Sequence, residues 1–129
     1  MPVLRSSPYA SVELLEGAGI VKISRTAAPF GDARAARHET TAWVGTVATL
    51  DTSRLGLLLD WRLTPMTSDP DILREVVSRG DALALTFARH ALLLAGSLSP
   101  PQAERISRAG STIEVFTDEA TAWAHLARR

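Results

Sequence analysis

The chain contains no cysteine among its 129 residues. That absence excludes disulfide bonds, thiolate metal ligands and a cysteine nucleophile. A single domain of this length can bury an adequate core without such cross-links. The composition therefore fits a cytoplasmic protein.

The sequence also lacks net charge and is poor in aromatic residues. Fourteen basic residues balance fourteen acidic ones, and the aromatic residues are three Trp, three Phe and one Tyr. Lys22 is the single lysine, so arginine supplies nearly all of the positive charge. Without a basic surplus or an aromatic platform, the chain has neither feature expected of a nucleic-acid-binding domain. We expect no nucleic-acid partner.

No apolar run approaches the roughly 20 residues that a membrane-spanning helix needs. The longest candidate, residues 82–96, is interrupted by Arg89 and His90. Residues 1–5 do not resemble the start of a signal peptide. The sequence therefore predicts no membrane insertion.

The most informative stretch is residues 55–61, in which apolar residues follow one another without polar alternation. This pattern is typical of a parallel strand that is covered on both faces. Asp60 then lies at the carboxyl end of that strand, where open α/β sheets usually present their sites.

Before this strand, residues 1–10 contain two prolines and are expected to be a loose lead-in, so that a single domain occupies residues 11–129. Residues 12–16 and 20–25 predict an antiparallel hairpin around the glycines at positions 17 and 19. After Asp32, apolar residues recur every three or four positions and predict a helix of about five turns. Arg34, Arg37 and Glu39 are expected on its solvated face.

A second helix is predicted to begin with Asp69 as its cap and Pro70 in its first turn. Its apolar face continues through Gly80 to about Phe87. Because glycine is a poor helix former, the helix could instead end near Gly80, and residues 82–87 would then form a strand.

The remaining chain predicts a buried strand at residues 90–96, a helix at 102–108, a strand at 112–116 and a terminal helix capped by Thr117. The expected fold is α/β, with a small mixed, mostly parallel sheet of about five strands and four helices. An antiparallel hairpin comes first and βα units follow.

Two stretches carry a family resemblance: Leu57-Leu58-Leu59-Asp60 and the closing segment at residues 115–123. They resemble the SpoIIAA-like group of the STAS superfamily, whose bacterial members often end in an acidic-Glu-Ala-x-x-Trp helix. The resemblance spans about residues 11–127. It implies a SpoIIAA-like fold and a bacterial, non-enzymatic regulatory domain that binds another protein.

Anti-sigma-factor antagonists of that superfamily are switched by phosphorylation of a serine in an Asp-Ser pair at a helix start. The corresponding stretch here is Met66-Thr67-Ser68-Asp69-Pro70, which lacks the Asp-Ser order. A phosphate on Thr67 or Ser68 would be held by the free amides of the helix start. The alternative is that Ser68 and Asp69 only cap the helix.

No catalytic set emerges from the sequence. His38, His90 and His125 are not placed at the carboxyl ends of the strands, where a nucleophile and a base would have to meet. We therefore expect no enzyme, no cofactor and no metal site.

The candidate interaction or regulatory surface follows the central strand and consists of Asp60, Trp61, Arg62, Met66, Thr67, Ser68 and Ser97. Trp and Met are enriched at contact sites, although Trp61 can equally belong to the core. The expected partner is another protein or a second copy of the chain. The alternative function is binding of a small apolar or lipid-like ligand in a pocket.

Overall fold

The computed structural model describes residues 3–64, 69–95 and 114–127. They form one six-stranded sheet with the strand order β1-β2-β3-β4-β5-β6, together with three α-helices. The strands are β1 (Val3–Ser6), β2 (Ala10–Leu15), β3 (Ile20–Arg25), β4 (Gly56–Asp60), β5 (Arg89–Leu93) and β6 (Val115–Phe116). The helices are α1 (Ala33–Val47), α2 (Pro70–Ala84) and α3 (Glu119–Ala127).

The predicted α/β class is confirmed, with six strands instead of about five. Helices α1, α2 and α3 correspond to three of the four predicted helices. The predicted helix at residues 102–108 lies outside the described residues.

The expected loose lead-in is wrong for residues 3–6, which form β1 and pair antiparallel with β2. A tight turn makes this pairing possible. The Ser7 hydroxyl accepts hydrogen bonds from the amides of Tyr9 at 3.1 Å and Ala10 at 3.2 Å. Pro8 therefore lies in a turn between two strands, where a proline is well tolerated.

The predicted hairpin is confirmed as β2 and β3, which pair in register from Ala10 opposite Arg25 to Leu15 opposite Ile20. Gly19 closes the connecting turn with a φ of 67°, in the left-handed region that favours glycine. The hairpin passes directly into the parallel part of the sheet, because β3 pairs parallel with β4.

The central strand β4 is parallel to both β3 and β5, and all five of its residues are buried. Leu57 and Leu59 pack in the core that α1 and α2 share with the sheet. Leu58 faces the opposite side, where it packs with Ala122 and Leu126 of α3. The prediction that helices cover this strand on both faces is confirmed.

Both predicted helix starts are confirmed. The Asp32 side chain accepts a 2.8 Å hydrogen bond from the Ala35 amide at the start of α1. The Asp69 side chain caps α2, with Pro70 as the first helical residue. Helix α2 runs through Gly80 and ends at Ala84, so residues 82–84 are helical and the strand alternative for 82–87 is wrong.

At the carboxyl end of the chain, β5 pairs parallel with β4 and β6 pairs parallel with β5. The terminal helix α3 is present, but its predicted cap is one residue off. Asp118, not Thr117, accepts hydrogen bonds from the Thr121 amide at 2.9 Å and hydroxyl at 2.6 Å. Within the described ranges, no helix combines the length and apolarity needed to cross a bilayer.

Candidate functional site

Asp60 ends β4 and is only 8% exposed. Its carboxylate accepts hydrogen bonds from Arg62 Nε at 3.0 Å, Arg62 Nη2 at 2.8 Å and the Arg62 amide at 3.2 Å. Lys22 Nζ, on the neighbouring strand β3, lies 3.6 Å from Asp60 Oδ2. Two cations therefore surround one buried carboxylate.

Two opposing effects act on the pKa of Asp60. Burial is the largest single effect and raises the pKa, whereas the hydrogen bonds and charge of Arg62, with the charge of Lys22, lower it. The net result is a pKa below the ordinary value. Asp60 is therefore ionised at neutral pH and holds no proton to donate, which suits an ion-pair partner better than a general acid.

Arg62 connects the loop after β4 to the last helix. Its Nη2 atom lies 2.8 Å from Asp60 Oδ2 and 3.1 Å from Glu119 Oε1, in the first turn of α3. The four charges Lys22, Asp60, Arg62 and Glu119 alternate in sign along this edge of the sheet. They fix the loop without leaving a strong net charge there.

Trp61 is held between the sheet and the core. Its amide donates a 2.9 Å hydrogen bond to the Leu93 carbonyl of β5, and its half-buried ring packs against the core on the α1–α2 face. The indole Nε1 atom is buried and has no hydrogen-bond partner among the described residues. The sequence did not decide whether Trp61 belongs to the core or to a contact surface. Its packing supports the assignment to the core.

The structure brings together Asp60, Trp61 and Arg62 of the predicted surface. Met66, Thr67, Ser68 and Ser97 lie outside the described residues. The same loop carries Leu63, which is 70% exposed and was not singled out from the sequence. Thr64 ties the loop to the chain after β3 through a 2.6 Å hydrogen bond from its hydroxyl to the Thr26 carbonyl.

Sequence reasoning also missed Arg25, the last residue of β3, which is 5% exposed. Its guanidinium carbon lies 4.2 Å from the centre of the Phe30 ring and 6.0 Å from that of Trp61. Desolvation lowers the pKa of Arg25 to about 10, against the opposing charge of Glu39. The sequence did hold a signal, because Arg25 continues the inward alternation of Val21 and Ile23.

The prediction that Glu39 lies on the solvated face of α1 is wrong. Glu39 is 3% exposed and accepts hydrogen bonds from Ser7 Oγ at 2.8 Å, Arg5 Nη2 at 3.1 Å and Trp43 Nε1 at 2.8 Å. Two of these partners, Arg5 and Ser7, come from β1 and the turn after it, which the sequence did not predict to be structured. Only Arg34 and Arg37 of the three expected residues are exposed.

A shallow groove of about 310 Å³ lies between the carboxyl-terminal halves of α1 and α2. Its lining is mainly apolar, with one charged side chain; it includes Val44, Val47, Leu50, Ala82, Leu83 and Arg79. Its volume lies near the lower limit for small-molecule sites. Among the described residues, no three His, Asp or Glu side chains are grouped as a metal site would require.

Comparisons with protein-family models, curated proteins and solved structures find no match to this chain.

Proposed function

We propose that the chain is a non-enzymatic, cytoplasmic regulatory domain of the STAS type that binds another protein through the loop after β4. The observation that carries this proposal is that an exposed apolar side chain lies in the same loop as a carboxylate whose charge is neutralised by two cations. Asp60 is held by Lys22 and Arg62, while Leu63 beside them is 70% exposed. Protein-contact surfaces have an apolar centre and a polar rim, and Leu63 with the paired charges around it matches that arrangement.

The positions of the histidines favour binding over catalysis. His90 pairs with Leu57 near the start of β4, whereas Asp60 pairs with Leu93 at its end. His125 Nδ1 lies 3.6 Å from Glu114 Oε2, and His38 is exposed on α1. No described histidine therefore shares the carboxyl edge with Asp60 as a base would need to.

The order of the elements supports the STAS resemblance. An antiparallel hairpin is followed by consecutive parallel strands, and the acidic-Glu-Ala-x-x-Trp segment forms the start of α3. The function implied by that resemblance is regulation by contact with another protein or with a second copy of the chain.

Two exposed leucines make the test specific. Leu63 is 70% exposed beside the proposed surface, and Leu85 is 75% exposed at the end of α2. We expect Leu63→Asp to abolish partner capture or self-association, and Leu85→Asp to leave both unchanged. Affinity capture and light scattering after size exclusion measure the two outcomes. A strictly monomeric wild type that captures no partner, or equal losses in both variants, would contradict the proposal.

The groove between α1 and α2 favours a second candidate, binding of a small apolar ligand. Ala82 lines the groove, while Arg74 lies two turns earlier in the amino-terminal half of α2, is 71% exposed and does not line it. If the groove is used, Ala82→Trp should remove the thermal stabilisation produced by a medium-chain fatty acid, and Arg74→Trp should retain it. Native mass spectrometry that detects no bound fatty acid on the wild type would exclude this candidate.

A further inference from the structure

Arg25 is a buried cation whose partners are weak. It is 5% exposed, and its hydrogen bonds run to two neutral carbonyls, Tyr9 O at 3.3 Å and Ala28 O at 3.4 Å. A guanidinium carries five N–H donors, so these two bonds leave most of them unused. A buried charge normally requires an opposite charge in direct contact.

The nearest negative charge does not meet that requirement. No carboxylate in the described part of the chain lies within ion-pair distance of Arg25, and Glu39 acts on it only through space. The oxygens of Glu39 already accept hydrogen bonds from Arg5, Ser7 and Trp43. Arg25 therefore retains donors and positive charge that the described residues do not neutralise.

An unsatisfied hydrogen-bond donor, the indole N–H of Trp61, lies beside Arg25. The Trp61 indole Nε1 is buried without an acceptor in the described part of the chain, and the Trp61 ring centre is 6.0 Å from the Arg25 guanidinium carbon. Unpaired buried donors are rare in folded proteins, and the Trp61 N–H is one that lies next to a buried guanidinium with weak partners. Both lie at the carboxyl ends of β3 and β4, the edge at which open α/β sheets bind ligands.

We propose that Arg25 and Trp61 form a binding site for a small oxyanion, a carboxylate or phosphate group. One oxygen accepts charge-assisted hydrogen bonds from the guanidinium and another accepts from the indole N–H. Phe30 borders the site, because its ring centre lies 4.2 Å from the guanidinium carbon in a cation–π contact. This site shares the loop after β4 with the contact surface at Leu63, but it uses donors on the α1–α2 face of the sheet.

The indole N–H of Trp61 provides a direct readout. The chain has three tryptophans, and Trp43 already donates to Glu39. In a titration with inorganic phosphate at constant ionic strength, we expect a saturable shift of the Trp61 indole resonance in ¹H–¹⁵N spectra, with Trp43 unmoved. Acetate, titrated in the same way, distinguishes carboxylate from phosphate preference. The Trp61→Phe variant assigns the resonance.

Substitutions separate binding from folding. Trp61→Phe removes only the N–H donor and its ring edge, so phosphate should still raise the melting temperature but bind roughly three- to tenfold more weakly. Arg25→Met should abolish that stabilisation, while the exposed control Arg37→Met should retain it. If Arg25→Met does not fold, Arg25→Lys should fold and bind more weakly, because Lys lacks the planar fork.

The proposal is overturned if neither phosphate nor acetate moves the Trp61 indole resonance of the wild type. It is also overturned if Trp61→Phe and Arg25→Lys respond to both anions as the wild type does. Either result leaves the Leu63 experiment unaffected, so failure of the anion site is distinguishable from failure of the proposed function.

Discussion

Glu39 and Trp43 lie one turn apart on α1, and the Glu39 carboxylate accepts a 2.8 Å hydrogen bond from the Trp43 indole nitrogen. Trp43 is 1% exposed, so this bond satisfies a polar atom deep in the core. The same carboxylate holds Arg5 of β1 and Ser7 of the following turn. One acidic side chain therefore attaches the amino-terminal strand to the first helix.

Replacing Glu39 should destabilise the protein more than replacing a glutamate whose ion-pair partner is exposed. Glu39→Ala leaves the Trp43 N–H and Arg5 without their acceptor, and we expect a loss of about 2–4 kcal/mol in the free energy of unfolding. Glu75→Gln is the control, because the Arg37 partner of Glu75 is largely exposed and such pairs contribute little. Urea unfolding measures both. Equal stability of Glu39→Ala and the wild type would show that the cluster is unimportant.

The ion pairs of Asp60 make part of the stability depend on pH. Because the folded-state pKa of Asp60 is lowered, its contribution is present above the unfolded-state pKa and is lost as the pH falls through the folded-state value. Asp60→Asn should cost about 1–3 kcal/mol near neutral pH, and the difference from the wild type should shrink below about pH 4.

Thermal unfolding between about pH 2 and pH 7 checks this expectation, because an ordinary aspartate has a pKa of about 3.9 and the pKa of Asp60 in the folded state is lower. Asp71→Asn is a suitable control, because its side chain is 69% exposed. A constant difference between Asp60→Asn and the wild type over the whole range would contradict the assigned ion pairs.

Replacing glycine by alanine should change the stability of the protein in opposite directions at Gly80 and Gly19. At Gly80, within α2, an added Cβ would lie 3.8 Å from Leu59 Cδ1, an ordinary contact. Gly80→Ala should therefore stabilise the protein by about 0.5–1 kcal/mol through helix propensity. At Gly19, with a φ of 67°, alanine should destabilise it by about 1 kcal/mol or more. Melting temperatures of the two variants, compared with the wild type, measure both signs.

Amide hydrogen exchange should rank the strands by their position in the sheet. The amides of Leu57, Leu58 and Leu59 are buried between two parallel neighbours and should exchange among the slowest in the chain. Those of β1, a four-residue edge strand, should exchange much faster. Comparable protection of β1 and β4 would be inconsistent with this sheet order.

The sequence predicted the elements whose signals are local. Asp32 and the Asp69-Pro70 pair start helices because a capping carboxylate and a proline act on the amides of the next turn. The unbroken apolar run at residues 57–59 predicted a strand covered on both faces, since neither face carries a polar side chain that water would solvate.

The misplaced elements depended on partners distant along the chain. Residues 3–6 carry no strong strand signal of their own, and they are ordered by pairing with β2 and by the Arg5–Glu39 ion pair. Helix α2 continues past Gly80 because packing against the sheet compensates for a poor helix former. The cap of α3 moved from Thr117 to Asp118, a difference of one residue that pattern alone could not resolve.

By itself, the sequence determined the class of fold, the burial of β4 and the place of Asp60 at its carboxyl end, because periodicity and capping are short-range properties. Only the tertiary structure decided that Glu39 is buried, that Lys22 and Arg62 flank Asp60, and that Arg25 lies beside the Trp61 indole. The reason is physical: whether a charged side chain is solvated or buried depends on which distant residues supply its partners, and strand pairing sets those partners.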